Sequence, residues 1–329
     1  MAIERLALVT GAAGVMGARL VEKLLGAGFA VRGLVLPGDP ARRRLERVGA
    51  SVVEGDVRDE RSLRGVCDGA HTVFHLAAII LSHDVSAFSR INRDGTANVV
   101  AEARRAGVSH LVYVSSASVT YPRRTPYAES KLEAEHIVES SRVPYTIVRP
   151  TLVYDAGGGQ ELLLYLDYLK RFPFVPFIGD GSAKKRPVWA EDVVDGLARI
   201  AGNSASLGKT YNLSGAEAIS MLDFSRLLLQ EQGVRKPFVH LPVLACRVVA
   251  FAMERLMKAP PLTQSAITGV VNDADLDPSL AMRELGYRPL GVREGLPRHF
   301  TASKGGARPV RRAAPPRAQG APRLEGPSS

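Results

Sequence analysis

The chain has 329 residues, which is enough to bury a sizeable hydrophobic core in one large domain or two smaller ones. Two cysteines are too few for a disulfide framework and no secretory signal precedes the first apolar run, so we expect a cytoplasmic protein. Half of the net charge of +10 lies in residues 302–329, which hold six lysines and arginines against one glutamate. Proline, glycine and alanine dominate that segment, so we expect a disordered basic tail and no specific binding of nucleic acid.

The first predicted element is a strand over residues 5–10 that leads into a glycine-rich turn. Gly11, Gly14 and Gly17 are evenly spaced, and the residues that follow them have helical spacing. Glycine permits the tight turn and lets backbone N–H groups approach a pyrophosphate at the start of the helix, where the helix dipole favours an anion. This pattern predicts a binding site for a dinucleotide cofactor, NAD or NADP.

The second strand, predicted over residues 30–36, should end at the residue that contacts the adenosine ribose. An acid at that position accepts a hydrogen bond from the 2′-hydroxyl of NAD, whereas a nearby arginine accommodates the 2′-phosphate of NADP. Val35 and Leu36 give neither signal. Arg32 and the arginines at 42–44 are candidates for the phosphate, but arginines on a helix face are also typical of a solvated surface. The choice between NAD and NADP therefore stays open.

The third and fourth strands are predicted over residues 51–56 and 72–78. The fourth strand ends in Ala77 and Ala78, whose small side chains leave space for a cofactor to lie across the strand ends. We interpret His75, in the same strand, as a packed residue, because no second metal ligand stands at a suitable spacing.

The segment 111–131 is predicted to form a buried strand that ends in Ser115 and Ser116, then a loop, then a helix. That helix opens with Tyr127 and carries Lys131 four residues later. Positions i and i+4 lie on the same helix face, so the phenol and the ammonium share one site, where the positive charge favours the phenolate. A serine at the strand end can donate a hydrogen bond to the same substrate oxygen. The arrangement suits the interconversion of a carbonyl and an alcohol.

The order of these motifs, a glycine-rich turn, a strand-end serine and Tyr-x-x-x-Lys, resembles the extended branch of the short-chain dehydrogenase/reductase superfamily, namely its NAD-dependent epimerase/dehydratase family. The resemblance implies an α/β fold, a Rossmann-type doubly wound parallel sheet with a smaller C-terminal substrate lobe. It assigns residues 1–155 to the NAD(P)-binding domain, to which a strand and a helix around 185–200 return. Residues 156–301 are mainly the substrate-binding lobe, and 302–329 are the tail.

The resemblance also implies which residues carry the chemistry. Tyr127 moves the proton of the substrate hydroxyl, Lys131 assists it and holds the ribose, and Ser116 steadies the substrate oxygen. A shift of one residue in the match would exchange Ser116 with Ser115. Implied contacts with the cofactor are Gly11, Gly14, Gly17, Asp56, Val57, Ala77, Ala78, Asn92, Tyr127, Lys131 and Pro150.

Other implied roles are less direct. Asn92 opens an Asn-x-x-Gly-Thr pattern and orients the active-site backbone or the nicotinamide ribose, unless it is an ordinary helix N-cap. Ser115, Lys185 and Arg186 are candidates for contacts with the substrate. No metal site is implied.

The resemblance implies hydride transfer at a secondary alcohol or ketone. The leading interpretation is an epimerase-like enzyme, an isomerase acting on a nucleotide-sugar. One alternative is a ketone reductase of the hydroxysteroid or flavonoid type, and another is a non-catalytic NADP-binding accessory or regulatory protein. Leu152 stands where the sugar enzymes of the family carry an asparagine, which weighs against the leading interpretation. Homodimers are common in this family, so the resemblance also suggests one here.

Residues 239–257 form a strongly apolar segment. Arg247, Glu254 and Arg255 interrupt it and Pro242 lies near its start, so the segment is too short and too charged to span a bilayer. We expect a buried or groove-lining helix of the substrate lobe.

Overall fold

The structure is a computed structural model that describes residues 5–82, 84–155, 160–257 and 260–304. The strands are β1 (Leu6–Thr10), β2 (Ala30–Val35), β3 (Ser51–Glu54), β4 (Ala70–His75), β5 (His110–Val114), β6 (Tyr145–Pro150), β7 (Val153–Tyr154), β8 (Val175–Ile178), β9 (Lys184–Lys185), β10 (Val188–Trp189), β11 (Lys209–Leu213), β12 (Ile219–Ser220) and β13 (Phe238–Leu241). The helices are α1 (Val15–Gly26), α2 (Arg42–Arg47), α3 (Glu60–Leu63), α4 (Ser86–Phe88), α5 (Gly95–Arg105), α6 (Pro126–Ser140), α7 (Gln160–Lys170), α8 (Ala190–Ile200), α9 (Met221–Glu231), α10 (Val243–Leu256), α11 (Gln264–Val271), α12 (Ser279–Leu285) and α13 (Val292–Lys304).

The centre of the molecule is a parallel sheet of seven strands in the order β11-β6-β5-β4-β1-β2-β3. Strands added after β1 go first to one side of it and then, from β4 onwards, to the other. The carboxyl ends of β1 and β4 therefore flank the point where the strand order reverses, which is where ligands bind in sheets of this kind. Thr10 and His75 are paired in register at that point. This is the predicted Rossmann-type fold.

Alternation along the strands divides the core into two layers. In β1, Ala7 and Val9 face one hydrophobic cluster and Leu8 faces the other, because successive side chains of a strand point to opposite sides. Helices α1 and α8 cover the first face, and α5 and α6 cover the second. Both faces are therefore buried, as is typical of a parallel sheet.

One part of residues 156–301, which we expected to be mainly the substrate lobe, lies in the cofactor-binding half. Residues 209–213 form β11, which pairs with β6 at the edge of the central sheet. Tyr211 and Leu213 are buried against α8 in the core of the cofactor-binding half. An alternating pattern can indicate a strand but not the sheet that the strand joins, so the sequence alone does not place β11. Helix α8 does return to this half, where it packs against α1.

The substrate lobe is built from short paired strands and helices around its own core. Strands β8 and β13 pair in parallel, β9 and β12 pair antiparallel, and β7 pairs with β10. Helices α7, α9 and α13 enclose a hydrophobic cluster centred on Phe177, Phe224 and Leu296. A smaller cluster holds α10 to α11 and to the end of β8.

Two predictions about the C-terminal third change with the structure. Helix α10 was expected to be buried or to line a groove, and the structure covers only its inner face, with Cys246 and Ala250. The predicted tail begins later than residue 302, since α13 continues to Lys304, and the rest of it lies outside the described residues. Among the helices that the structure describes, none combines the length and the apolar character needed to cross a membrane.

Candidate active site

The glycine-rich turn lies in the crevice at the carboxyl end of β1. Gly11 has φ +69°, and a Cβ there would lie 2.8 Å from the backbone nitrogen of Ala77. A Cβ on Gly17 would overlap the carbonyl oxygen of Gly11. Helix α1 begins after Gly14 without a side-chain cap and without an acid in its first turn, which leaves its positive end to an anion. The turn and helix fit the pyrophosphate of a dinucleotide.

Asp56 and Val57, two of the implied cofactor contacts, follow the end of β3. Asp56 accepts hydrogen bonds from the backbone and the guanidinium of Arg58. Burial raises the pKa of Asp56, but the hydrogen bonds from Arg58 outweigh it and hold this pKa below its usual value. Val57 is buried, and its carbonyl accepts a hydrogen bond from Asn98 Nδ2 at 2.9 Å.

The arginines considered for the NADP phosphate have different surroundings. Arg32 donates to the carbonyl of Val66, Arg42 pairs with Glu46 and Glu54, and Arg44 pairs with Glu22. Among the described residues, Arg32 and Arg43 are the two members of this group for which the structure shows no carboxylate partner.

Helix α6 presents the Tyr-x-x-x-Lys pair. Thr125 caps the helix by accepting the backbone N–H of Ala128. Lys131 is only 2% exposed, and its ammonium donates to the carbonyl of Val114 at 2.7 Å and lies 4.3 Å from the ring centre of Tyr113. Burial lowers the pKa of Lys131 to about 7, although the charge of Glu135 raises it. Lys131 can therefore gain or lose a proton near neutral pH.

Tyr127, at the start of α6, has an aromatic neighbour, and two serines follow the end of β5. The ring of Phe88 meets that of Tyr127 edge-on, with their centres 6.2 Å apart. Ser116 Oγ lies 2.9 Å from Ser118 Oγ and accepts the backbone N–H of Ser118. Ser115 Oγ is buried and has no hydrogen-bond partner among the described residues. Ser116, which is only half-buried, therefore remains able to bind a further oxygen.

A chain of buried hydrogen bonds runs behind the site, and no pattern in the sequence indicated it. Thr96 Oγ1 donates to the carbonyl of Asn92 at 2.5 Å, so it must accept its contact of 2.9 Å from His75 Nε2–H. His75 Nδ1 then accepts from Thr10 Oγ1 at 2.7 Å, and Thr10 Oγ1 accepts from the N–H of Ala77. Burial, reinforced by the charge of Lys131, lowers the pKa of His75 to about 3, so the ring is neutral.

Asn92 extends this chain of hydrogen bonds to α6. Its amide oxygen accepts the N–H of Ile79 at 2.8 Å, and its amide nitrogen donates to the carbonyl of Ile79 and to Ser130 Oγ, both at 3.0 Å. Ser130 Oγ in turn donates to the carbonyl of Tyr127. Asn92 therefore orients the backbone beside the site and does not cap a helix.

A second anchor of α6 was also missed. Glu135 is 1% exposed, and it binds Arg149 on β6 through two parallel hydrogen bonds of 2.9 and 2.5 Å. This geometry is the strongest form of such a pair. Glu135 lies one turn after Lys131, so a four-residue spacing in the sequence was the available signal. Pro150 follows at the end of β6, opposite Leu213.

The two cations predicted to bind substrate have structural partners. Lys185 is buried, and its ammonium donates to the carbonyls of Gly269, at 2.8 Å, and Asn272. Arg186 pairs with Asp275 and donates to the carbonyl of Ala216 at 3.0 Å. In the described part of the chain, no group of three or more His, Cys, Asp or Glu side chains is placed to hold a metal ion.

Residues 7–214 match the model of the NAD dependent epimerase/dehydratase family, and the chain belongs to this family. It is therefore an enzyme whose cofactor is NAD or NADP, and the predicted family and fold are confirmed. The structure of UDP-glucuronic acid 4-epimerase from Bacillus cereus, in complex with UDP-glucuronic acid and NAD, superposes with a TM-score of 0.69 over 91% of this chain and 99% of that one. At 20% identity, this likeness shows the fold alone.

Two relatives are similar over most of their length. The chain is 30% identical over 328 residues to a 3 beta-hydroxysteroid dehydrogenase/Delta 5-->4-isomerase of Mycobacterium tuberculosis, a match that covers 86% of each chain. It is 27% identical over 307 residues to a 4-hydroxy-2-methyl-3-oxo-4-farnesyl-3,4-dihydroquinoline-1-oxide ketoreductase of Stigmatella aurantiaca, covering 85% of this chain and 90% of the relative.

Proposed function

We propose that the enzyme exchanges its NAD(P) cofactor in every turnover and interconverts a secondary alcohol and a ketone on a hydrophobic molecule. The observation that carries this proposal is the apolar surface beside Tyr127. Asn92 fixes the backbone of Ile79 next to α6, and the side chains that follow, Ile80 and Leu81, are each 45% exposed. Val85 is also exposed, and Phe88 packs on the tyrosine ring.

The charges of the substrate lobe support the same conclusion. A nucleotide-sugar carries a diphosphate, which proteins usually bind with free cations or with N–H groups. Lys185 and Arg186 bind carbonyls and a carboxylate of the lobe itself, so recruiting them would break those contacts. Leu152 packs in the lobe core. The nucleotide-sugar substrate stays a prediction that these contacts do not support.

The names of the two relatives also favour this class, since one relative acts on a hydroxysteroid and the other on a farnesylated ketone. The non-catalytic alternative is not retained, because the chain belongs to a family of enzymes and keeps serine, tyrosine and lysine in the site.

The mechanism follows from the contacts of the site residues. When bound, the nicotinamide supplies the hydride to the carbonyl carbon or accepts it from the alcohol. Tyr127 gives its hydroxyl proton to the carbonyl oxygen in reduction and takes it back in oxidation. Lys131, held by the carbonyl of Val114, favours the phenolate. Ser116 Oγ accepts the backbone N–H of Ser118, and when the hydroxyl of Ser118 also donates to it, the hydroxyl proton of Ser116 is left for the substrate oxygen.

A substrate panel tests the proposal. The purified enzyme is mixed with NADH or NADPH and with a steroid ketone, a long-chain 3-oxo ester or UDP-glucuronic acid, and the absorbance of the reduced cofactor is followed. We expect stoichiometric consumption of the cofactor with the hydrophobic ketones. Tightly retained cofactor and epimerisation of the UDP-sugar without net consumption would contradict the proposal and support the nucleotide-sugar interpretation.

A further inference from the structure

Helix α10 presents an apolar face that nothing in the described structure covers. The face is centred on Leu244, Val248 and Phe251, which are 75%, 63% and 53% exposed and follow one another at spacings of four and three residues. Such a spacing forms one continuous stripe along a helix. We call the exposed residues 244, 245, 248, 249, 251, 252, 255 and 256 the outer face.

The composition of this helix is the reverse of that of an ordinary surface helix. A surface helix normally buries its apolar stripe and turns charged residues to water. Helix α10 buries Cys246 and Ala250, and apart from Arg255 its outer face is also apolar. An apolar patch of this kind, on a protein surface, marks a site of interaction with a protein or a membrane.

The charges around the outer face select between these two partners. Helix α10 itself carries two arginines, Arg247 and Arg255, and a single acid, the exposed Glu254, which lies outside the outer face. Glu254 accepts the backbone N–H of Gln264, at the first turn of α11. The guanidinium of Arg255 lies 4.4 Å from the ring centre of Phe251, so a cation stands directly beside the apolar stripe. Cations beside apolar side chains are the pattern that binds an anionic lipid surface.

The net charge of the whole chain argues in the same direction. Two copies of a protein with a net charge of +10 repel each other, whereas an anionic bilayer attracts each copy. Helix α10 has 14 residues, which gives a length of about 21 Å, shorter than the hydrocarbon core of about 30 Å. A helix of this length with one buried face suits a position in the plane of the interface.

We propose that the outer face of α10 docks the enzyme on an anionic lipid membrane, with Leu244, Val248 and Phe251 inserted between the headgroups and Arg255 near the lipid phosphates. The proposal stands on the helix and its charges, and does not depend on the substrate. It goes beyond the proposed function because it assigns a membrane-binding surface that is distinct from the residues around Tyr127.

Sedimentation of the full chain with lipid vesicles tests this proposal. We expect the protein to pellet with phosphatidylcholine vesicles that contain phosphatidylglycerol, and to pellet much less with phosphatidylcholine alone or at high salt. The double variant Val248→Glu/Phe251→Glu should lower binding by about tenfold or more, because two inserted side chains become charged. Arg255→Glu should lower binding to the anionic vesicles while the outer face keeps its apolar residues.

The control is a double variant of two other exposed apolar residues, Val48→Glu/Leu207→Glu, which lie in the cofactor-binding half at 40% and 37% exposure. It adds the same charge and should bind vesicles much more tightly than Val248→Glu/Phe251→Glu. The proposal is wrong if the wild-type chain does not pellet with anionic vesicles, or if both double variants bind equally. It is also wrong if light scattering shows a wild-type dimer that Val248→Glu/Phe251→Glu converts to a monomer, since the partner is then a second copy.

Discussion

The cofactor-binding half and the substrate lobe satisfy their polar and apolar groups in different ways. Behind the cofactor crevice, each polar atom of His75 and Asn92 has a directed hydrogen bond, and these bonds connect β1 to the catalytic helix. In the substrate lobe, Lys185 is used to hold the lobe together, and α10 leaves apolar side chains exposed. Directed bonds fix one geometry for the reaction, whereas apolar contact is non-directional and tolerates varied ligands. The comparison predicts that substitutions in the first region are costly.

The largest effect is expected at Tyr127, the residue that we propose transfers the proton. Replacing Tyr127 with phenylalanine removes the hydroxyl that exchanges a proton with the substrate oxygen. We expect kcat to fall about a thousandfold, since general acid–base catalysis contributes on that order. Tyr145→Phe is the matched control, because Tyr145 starts β6 at the opposite end of the sheet. Steady-state kinetics that show the two variants within tenfold of each other would contradict the assigned role.

The buried chain of hydrogen bonds gives the next largest effect. Replacing His75 with leucine leaves the hydroxyls of Thr10 and Thr96 without their partner in the core. We expect the free energy of unfolding to fall by about 3 kcal/mol, measured by urea denaturation. The variant His71→Leu changes a half-buried residue near the start of the same strand, and it should cost less than about 1 kcal/mol. Equal losses of unfolding free energy in the two variants would mean that the buried chain of hydrogen bonds adds no stability.

The ion pair that anchors α6 to β6 can be tested with two glutamates of one helix. Glu135→Gln leaves Arg149 without its buried carboxylate, and we expect a loss of about 2 kcal/mol in the free energy of unfolding. Glu133→Gln removes an exposed carboxylate 3.7 Å from Arg93 and should cost less than about 0.5 kcal/mol. Similar melting temperatures for both variants would show that the pair contributes little.

The smallest effect is the pH dependence of cofactor binding. Because burial lowers the pKa of Lys131 to about 7, its ammonium loses its charge as the pH rises through that value. If the charged form holds the ribose, affinity for the cofactor should fall by about tenfold above this pH, as the hydrogen bond to a charged donor is lost. Titration calorimetry at several pH values measures it. The variant Lys131→Arg keeps its charge over this pH range, so its affinity for the cofactor should not fall. A fall in affinity that persists in the variant must come from another group.

The sequence predicted the parts of the molecule that depend on local patterns. The glycine turn at Gly11, the strand that ends in Ser116 and the spacing of Tyr127 and Lys131 are each contained within a few residues. The strands and helices they predict lie within two or three residues of the observed bounds. Their order along the chain also fixed the parallel sheet, since alternating strands and helices admit few topologies.

The parts that the sequence did not predict depend on contacts between distant residues. His75 was expected to be packed, but its partners lie 65 and 21 residues away, so its role in connecting two elements was not visible. The place of β11 in the central sheet and the exposure of the outer face of α10 also depend on such contacts. A periodic pattern states which residues share a face, and only the tertiary structure decides what covers that face.

The most direct test of the proposed exchange of cofactor follows the transferred hydrogen itself. The enzyme is supplied with reduced cofactor that carries deuterium at the hydride position, together with the hydrophobic ketone that gives the fastest turnover. We predict that mass spectrometry finds one deuterium on the alcohol carbon of the product for each cofactor oxidised, and that Tyr127→Phe abolishes this transfer. A product without deuterium, formed while the enzyme retains its original cofactor, would contradict the proposed reduction.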